Sequence, residues 1–356
     1  MMRRNGFKTL SLTTSFRSRN LHALIGLGLL VMSGCGDSGL STDSGKDGSG
    51  GSHDAGVSAP SDLTMKANPD LTGLQNLSFT IGPISLAPGQ ERTICTVFKL
   101  PTQAPIDVLQ IDSKLLPGSH HLIFYKSNLT DEQTTPFDCQ PLDIGFGGKM
   151  VKNIPVYISE TQAQNALPLP SGVAYHFDAG QMVKIEAHYI NATASMLTGK
   201  GTVSLTVAPV GQSLIPANIM FCGSVSQLYF TGVPPGMSQL TPGFFKPPTG
   251  TKVFGLTAHQ HRRGSLMTIS KSTGQQDEGQ LLVNGTPWDN EPFVTYDDNH
   301  LLTFGPNEGL RWQCNYNNPD NQTIKFGESA DSNEMCFLWA YYYPAADHFI
   351  SQECIR

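Results

Sequence analysis

The chain reads as an all-β protein of two tandem β-sandwich, jelly-roll-like domains with a cleft between them. Three observations predict this. Charged residues make up only 15% of the 356, while glycine (36) and proline (24) are plentiful, a balance that suits short strands and turns. Strand-like stretches recur with turn signals between them, and no strand–helix alternation of the kind that builds a parallel sheet is visible. Outside the first 35 positions no long run of period-3.6 apolar residues occurs.

The N-terminus reads as an address. Arg3, Arg4, Lys8, Arg17 and Arg19 form a basic segment without an acid, followed by the apolar run Leu21 to Met32 and then Ser33-Gly34-Cys35. The run is too short to span a bilayer as a helix and fits a signal peptide over 1–34. A cysteine directly after small residues resembles the bacterial lipobox, so Cys35 is expected to be the lipidated first residue of the mature chain. Gly36 behind it, in place of Asp, favours the outer over the inner membrane. Residues 35–72 begin with Gly, Ser and Asp and offer little to bury, as a flexible tether should. Removing five of the 23 basic residues with the leader leaves 18 against 29 acidic ones, a balance of −11. With no basic patch, nucleic acid is excluded as a partner; the expected membrane contact is the lipid alone, and the body is expected to be monomeric.

Past the tether, TICTVFKL (93–100), HHLIFY (120–125, after Pro117-Gly118-Ser119), MVKIEAHY (182–189) and GTVSLTV (201–207) read as strands of a first domain over 73–210. KVFGLTAHQH (252–261), LLTFG (301–305), LRWQCNY (310–316) and EMCFLWAYYY (334–343) repeat the style in a second domain over 211–356. With Cys35 assigned to lipid, six cysteines remain, an even number that in an exported protein reads as three disulfides. None stands in a CxxC spacing. Cys95 and Cys139 lie in the first half and Cys222, Cys314, Cys336 and Cys354 in the second, so the simplest pairing keeps bonds within each half.

Histidines carry the chemical signal. His259 and His261 stand two apart on a strand, so both rings point to one face and can chelate one metal ion; two surface histidines would give the same spacing. His120 and His121 are adjacent, which on a regular strand sends them to opposite faces. They reach one metal only if the strand start is irregular or the rings bind through different nitrogens. His188 is a lone histidine late in a strand, with Glu186 on the same face as a candidate hydrogen-bond acceptor or an ordinary exposed acid. Near the C-terminus Met335, Phe337 and Trp339 share one face and Cys336 the other. A methionine there is most often core, yet imidazole with thioether suits copper, and thioether favours Cu(I).

Taken in order, HH, a distant strand ending in HY, HxH, and EMC before a YYP strand resemble the two-domain copper type II, ascorbate-dependent monooxygenases, the family of peptidylglycine α-hydroxylating monooxygenase and dopamine β-monooxygenase. The resemblance spans about residues 80 to 356. It implies one copper on His120, His121 and His188 and a second on His259, His261 and Met335. The second is the catalytic centre, where a C–H bond is hydroxylated with O2 while ascorbate or another reductant supplies electrons. It also implies the pairs Cys95–Cys139, Cys222–Cys354 and Cys314–Cys336. Where the peptidylglycine enzymes carry an Arg for the peptide carboxylate, this chain has Thr257. Phe337 and Trp339 replace an Asn and a Tyr of the family, leaving a mostly apolar wall in the cleft. A guanidinium fork is what a carboxylate clamp needs, so the expected substrate is a small molecule, apolar or aromatic, and not a peptidyl-glycine. A non-catalytic lipoprotein that stores, senses or delivers copper is the alternative expectation.

Overall fold

A computed structural model of the chain describes residues 75–142, 153–285, 288–289, 291–346 and 354. All belong to one compact unit. Cys35, the leader and the tether lie outside the described residues.

The architecture is all-β, with four sheets. Two come from the first part of the body. One runs Gln75–Leu86, Leu197–Val207, Ile106–Leu115, Val173–Phe177, with Gln164–Pro168 also paired to Ile106–Leu115. The other runs Gln133–Asp138, Glu91–Lys99, Met182–Ile190, Ser119–Ser127, Asn153–Ser159. The second part supplies the sheet Asn218–Gly223, Cys336–Tyr343, Lys252–Gln260, Phe293–Thr295 and the sheet Gly236–Gln239, Gly309–Asn318, Gly264–Ser272, Gln280–Gly285. Sheet membership changes between Val207 and Asn218; within that connection Ile215–Pro216 pairs back, in parallel, with the strand Val173–Phe177.

Period-2 alternation explains how the two sandwiches meet. Along Cys336–Tyr343, Cys336, Leu338, Ala340 and Tyr342 point into the core of the second sandwich. Phe337, Trp339, Tyr341 and Tyr343 point the other way, into the core cluster of the first. A strand covered on both faces reads as a continuous apolar run, which is what FLWAYYY is. Tyr341 fixes the contact: its oxygen accepts the Ile158 amide at 2.9 Å and its O–H donates to the Ile158 carbonyl at 3.2 Å. The two sandwiches therefore share a packed, buried seam, and at this seam the histidines gather.

The structure joins Cys95 to Cys139, Cys222 to Cys354 and Cys314 to Cys336. Each bond stays within its own pair of sheets. Three such links mark a protein that folds in an oxidising, extracytoplasmic compartment.

Candidate metal centre

His120, His121, His188, His259 and His261 converge into a single buried cluster. Ring centroids lie 5.2 Å apart for His120–His121, 5.2 Å for His121–His188, 5.3 Å for His259–His261 and only 5.1 Å for His120–His259. None of the five is more than 3% exposed. Where sequence reasoning placed two sites across a cleft, the rings of the two sets touch.

The local devices differ. Thr257, His259 and His261 follow simple alternation: His259 pairs with Phe337 and Gln260 with Cys336, so Gln260 faces away and both imidazoles face the seam. At His120 and His121 alternation is broken. Ser119 pairs with Tyr189 and His121 with His188, leaving His120 as the extra residue of a β-bulge. A bulge re-aims the inserted side chain, and this one brings His120 to its neighbour's face. The bulge follows Gly118, whose φ of 86° is costly for any residue with a Cβ and whose carbonyl accepts the Ile190 amide at 2.8 Å. The irregular strand start that two adjacent histidines require is thus built in by Pro117-Gly118.

Acceptors fix three of the rings. His188 Nε2 lies 2.8 Å from Glu91 Oε1, His259 Nδ1 lies 3.1 Å from Glu160 Oε2, and His261 Nδ1 lies 3.3 Å from the Asn333 carbonyl. A carboxylate or carbonyl oxygen only accepts, so each of these nitrogens carries a proton, and the other ring nitrogen is the one left over for a metal. Glu91 and Glu160 escaped sequence reasoning because they stand 97 and 99 residues from their partners. Glu186, the acceptor expected for His188, has a different task. Fully buried, it accepts from Lys184 Nζ at 3.1 Å, Tyr125 Oη at 3.0 Å and the Leu142 amide at 3.0 Å.

What remains is a set of buried nitrogens with nothing to bind. Both nitrogens of His120, both of His121, Nδ1 of His188 and Nε2 of His261 have no hydrogen-bond partner. Buried polar atoms are normally satisfied, and leaving six unpaired in one place is costly unless a cation takes them. Burial, followed by the neighbouring imidazoles, holds His120, His121 and His261 well below the ordinary histidine pKa. They are therefore neutral, the form that ligates metal. One potential ligand atom from each of His120, His121 and His188 lies within 4.8 Å of the others, and the same is true of His120, His259 and His261 and of His121, Glu160 and His259. The donor set fits copper, and the three overlapping groups make a continuous basin.

Met335 is 2% exposed, one residue beyond Glu334, whose carboxylate accepts the amides of His261 at 3.2 Å and Arg263 at 2.8 Å. It packs in the core cluster of the seam with Phe337 and Trp339, opposite the half-cystine Cys336, so the expected alternation holds. Thr257, Phe337 and Trp339 do not form an open wall. They are at most 1% exposed; Thr257 donates to the Pro292 carbonyl at 3.0 Å, and Trp339 stacks on Phe221 at 4.0 Å. The reason is the double coverage of their sheet. Trp288, which sequence reasoning left aside, meets His120 edge-on at 5.3 Å.

Among solved structures, the major capsid protein P2 from bacteriophage PM2 aligns at 9% identity over 77% of this chain and 100% of that one, with a TM-score of 0.33. So loose a likeness bears on nothing further. The sequence family is informative: residues 244–355, which carry His259, His261, Met335, both members of the Cys314–Cys336 pair and Cys354 of the Cys222–Cys354 pair, match the copper type II ascorbate-dependent monooxygenase C-terminal domain.

Proposed function

We propose that the protein is a copper-dependent monooxygenase that hydroxylates a C–H bond of a small substrate. The observation that carries this reading is the set of six unpaired, buried imidazole nitrogens, lying partly in a stretch that matches a copper monooxygenase domain. His120, His121 and His188 would hold one copper ion, and His259, His261 and Met335 a second. Bound copper would supply one-electron redox chemistry and activation of O2, with ascorbate or another small reductant as electron donor. The overall balance is R–H, O2, two electrons and two protons giving R–OH and water.

The chain's own residues do the rest. Glu91, Glu160 and the Asn333 carbonyl hold the ring protons away from the basin, so a lone pair of His188, His259 and His261 faces inward. The apolar seam excludes water, which keeps a reactive centre from side reactions. Glu334 holds the backbone just past His259 and, through its own position in the chain, sets where Met335 enters the seam. In this reading residues 73–210 and 211–356 act as two copper-binding domains. Cys35 carries the lipid that holds the body, as a monomer, at the cell envelope, on the outer membrane.

Burial of Thr257, Phe337 and Trp339 favours one competing reading, a copper store or carrier that never admits a substrate. Copper content of the reconstituted protein, followed by ascorbate-dependent O2 uptake with a panel of apolar and aromatic compounds, separates the two. Substrate-coupled uptake with a hydroxylated product supports the enzyme. Two bound coppers without coupled product would support the carrier, and tight zinc with no copper would remove both.

A further inference from the structure

Glu91 occupies an unusual place. It opens the strand Glu91–Lys99 of the first sandwich, yet its carboxylate is shared with the second. Oε1 accepts His188 Nε2–H at 2.8 Å and the Ala330 amide at 2.7 Å, and Oε2 accepts Ser329 Oγ–H at 2.7 Å. Ser329 begins a tight turn. Its carbonyl accepts the Asn333 amide at 2.9 Å, and its Oγ accepts the Ser332 amide at 3.1 Å. The turn ends on the Asn333 carbonyl, which accepts the proton of His261 at 3.3 Å. An unbroken chain of hydrogen bonds therefore runs from His188, in one histidine set, through one carboxylate and one five-residue turn, to His261 in the other. Met335 lies two residues past the end of that turn.

We propose that Glu91 is a positioning residue for both histidine sets at once, a clasp by which the first sandwich holds the 329–333 turn of the second. The proposal rests on the metal-binding reading above for its consequence, though not for the clasp itself. Three donors converge on two carboxylate oxygens. A carboxamide is a mild change here, because its oxygen still accepts from His188 and Ala330 while its nitrogen donates to the Ser329 hydroxyl. Alanine offers no acceptor, so in Glu91→Ala both the His188 proton and the turn lose theirs. If the His188 bond is lost, Nδ1 is no longer reserved for a metal. If the turn is lost, the Asn333 carbonyl is free to drift from His261. Removal of a partner that orients a metal-binding histidine typically weakens metal binding about 10–100-fold. Here one substitution is expected to do so at a ligand set it does not touch.

The test uses the full chain with Glu91→Ala and, separately, Ser329→Ala. Cu(I) is titrated against a competing chelator in two backgrounds. His120→Ala/His121→Ala leaves the His259/His261 set, and His259→Ala leaves the His120/His121/His188 set. Glu91→Ala should weaken Cu(I) binding about 10–100-fold in both. Ser329→Ala should weaken it chiefly in the first background. In metal-free protein the Ala330 amide should exchange with solvent deuterium faster in both variants than in wild type. A loss confined to the His120/His121/His188 set, with Ala330 exchange unchanged, overturns the clasp. If wild type binds no copper, the metal reading fails while Ala330 exchange still decides the clasp, faster for it and unchanged against it. If Glu91→Ala does not fold, Ser329→Ala decides by the same two readouts.

Discussion

The strand Lys252–Gln260 delivers its histidines by obeying the β-strand rule, and the strand Ser119–Ser127 delivers its own by breaking it. His259 and His261 are two apart and share a face at no structural cost. His120 and His121 are adjacent and share a face only because a bulge inserts His120 between the register pairs Ser119–Tyr189 and His121–His188. The lesson is that a ligand spacing cannot be judged apart from the turn that precedes it. Pro117-Gly118 carries as much information about the first set as the histidines do. The two sets also differ in how their protons are held. His188 is anchored to a carboxylate of its own sandwich, whereas His259 is anchored to Glu160, which lies across the seam.

The largest effect expected from this contrast is on metal content. Wild-type protein reconstituted with copper should hold close to two ions by mass spectrometry, and His259→Ala should lose about one. His120→Ala should lose at least one, because its ring also faces His259 and His261 at 5.1 and 5.6 Å. An equal loss of a single ion in both variants would mean that the sets are independent in solution despite their contact here.

Next in size is the separation of Met335 from the histidines. Met335→Ile keeps apolar bulk in the seam, so a stability loss under about 1.5 kcal/mol is expected. Ascorbate-dependent, substrate-coupled O2 uptake should nevertheless disappear while most copper is retained. Thermal melting alongside the assay distinguishes this from a simple core defect, in which the variant would unfold before it lost turnover.

Much of the site was legible in the sequence, and its limits have physical reasons. The HxH pair and the Met335/Cys336 alternation rest on period 2 alone, which survives in any regular strand. The bulge at His120 is a departure that period 2 cannot foresee. Glu91 and Glu160 pair with histidines almost a hundred residues away, and nothing in local spacing records such a partnership. Glu186 shares a strand face with His188, but sharing a face does not choose a partner, and Lys184, two residues before it, offers a charge-assisted bond that the imidazole does not. Thr257, Phe337 and Trp339 read as a wall because they stand where the resembled family carries polar residues, and a substitution says nothing of whether the position is open. The unbroken apolar run FLWAYYY was the signal that both faces of that strand are buried. Contact between the two histidine sets follows from the shared seam, a tertiary fact with no local signature.

A smaller effect compares the disulfides. Cys314–Cys336 closes a short loop next to Met335, with a separation of 22 residues, and Cys222–Cys354 a long one, with a separation of 132. Each is expected to contribute about 2–4 kcal/mol, with the longer loop toward the upper end. Replacing Cys314 and Cys336 together by Ser should lower stability by less than replacing Cys222 and Cys354, yet it should disturb copper retention more. The comparison is read by denaturant melts beside metal analysis.

Effects of pH act on stability alone and leave the copper ligands in place, and they take opposite signs in two parts of the seam. For His120, His121 and His261 the folded pKa lies well below 6.5, burial being the main cause. Below 6.5 the unfolded chain binds protons that the folded chain refuses, so metal-free protein should lose stability as pH falls from about 7. The slope is on the order of 1.4 kcal/mol per pH unit for each histidine. Glu291 behaves in reverse. Fully buried, with neither oxygen paired, it is pushed by burial and then by the nearby Glu160 to about 9. Between 4.5 and about 9 the folded state keeps a proton that the unfolded state has lost, so this group makes stability fall as pH rises. Glu291→Gln should flatten the alkaline side of the stability profile and steepen the acidic side, where the slope from the histidines is no longer opposed. Melts of metal-free protein from pH 5 to 9 separate the two arms. An alkaline slope that persists in Glu291→Gln would move its origin away from this carboxyl.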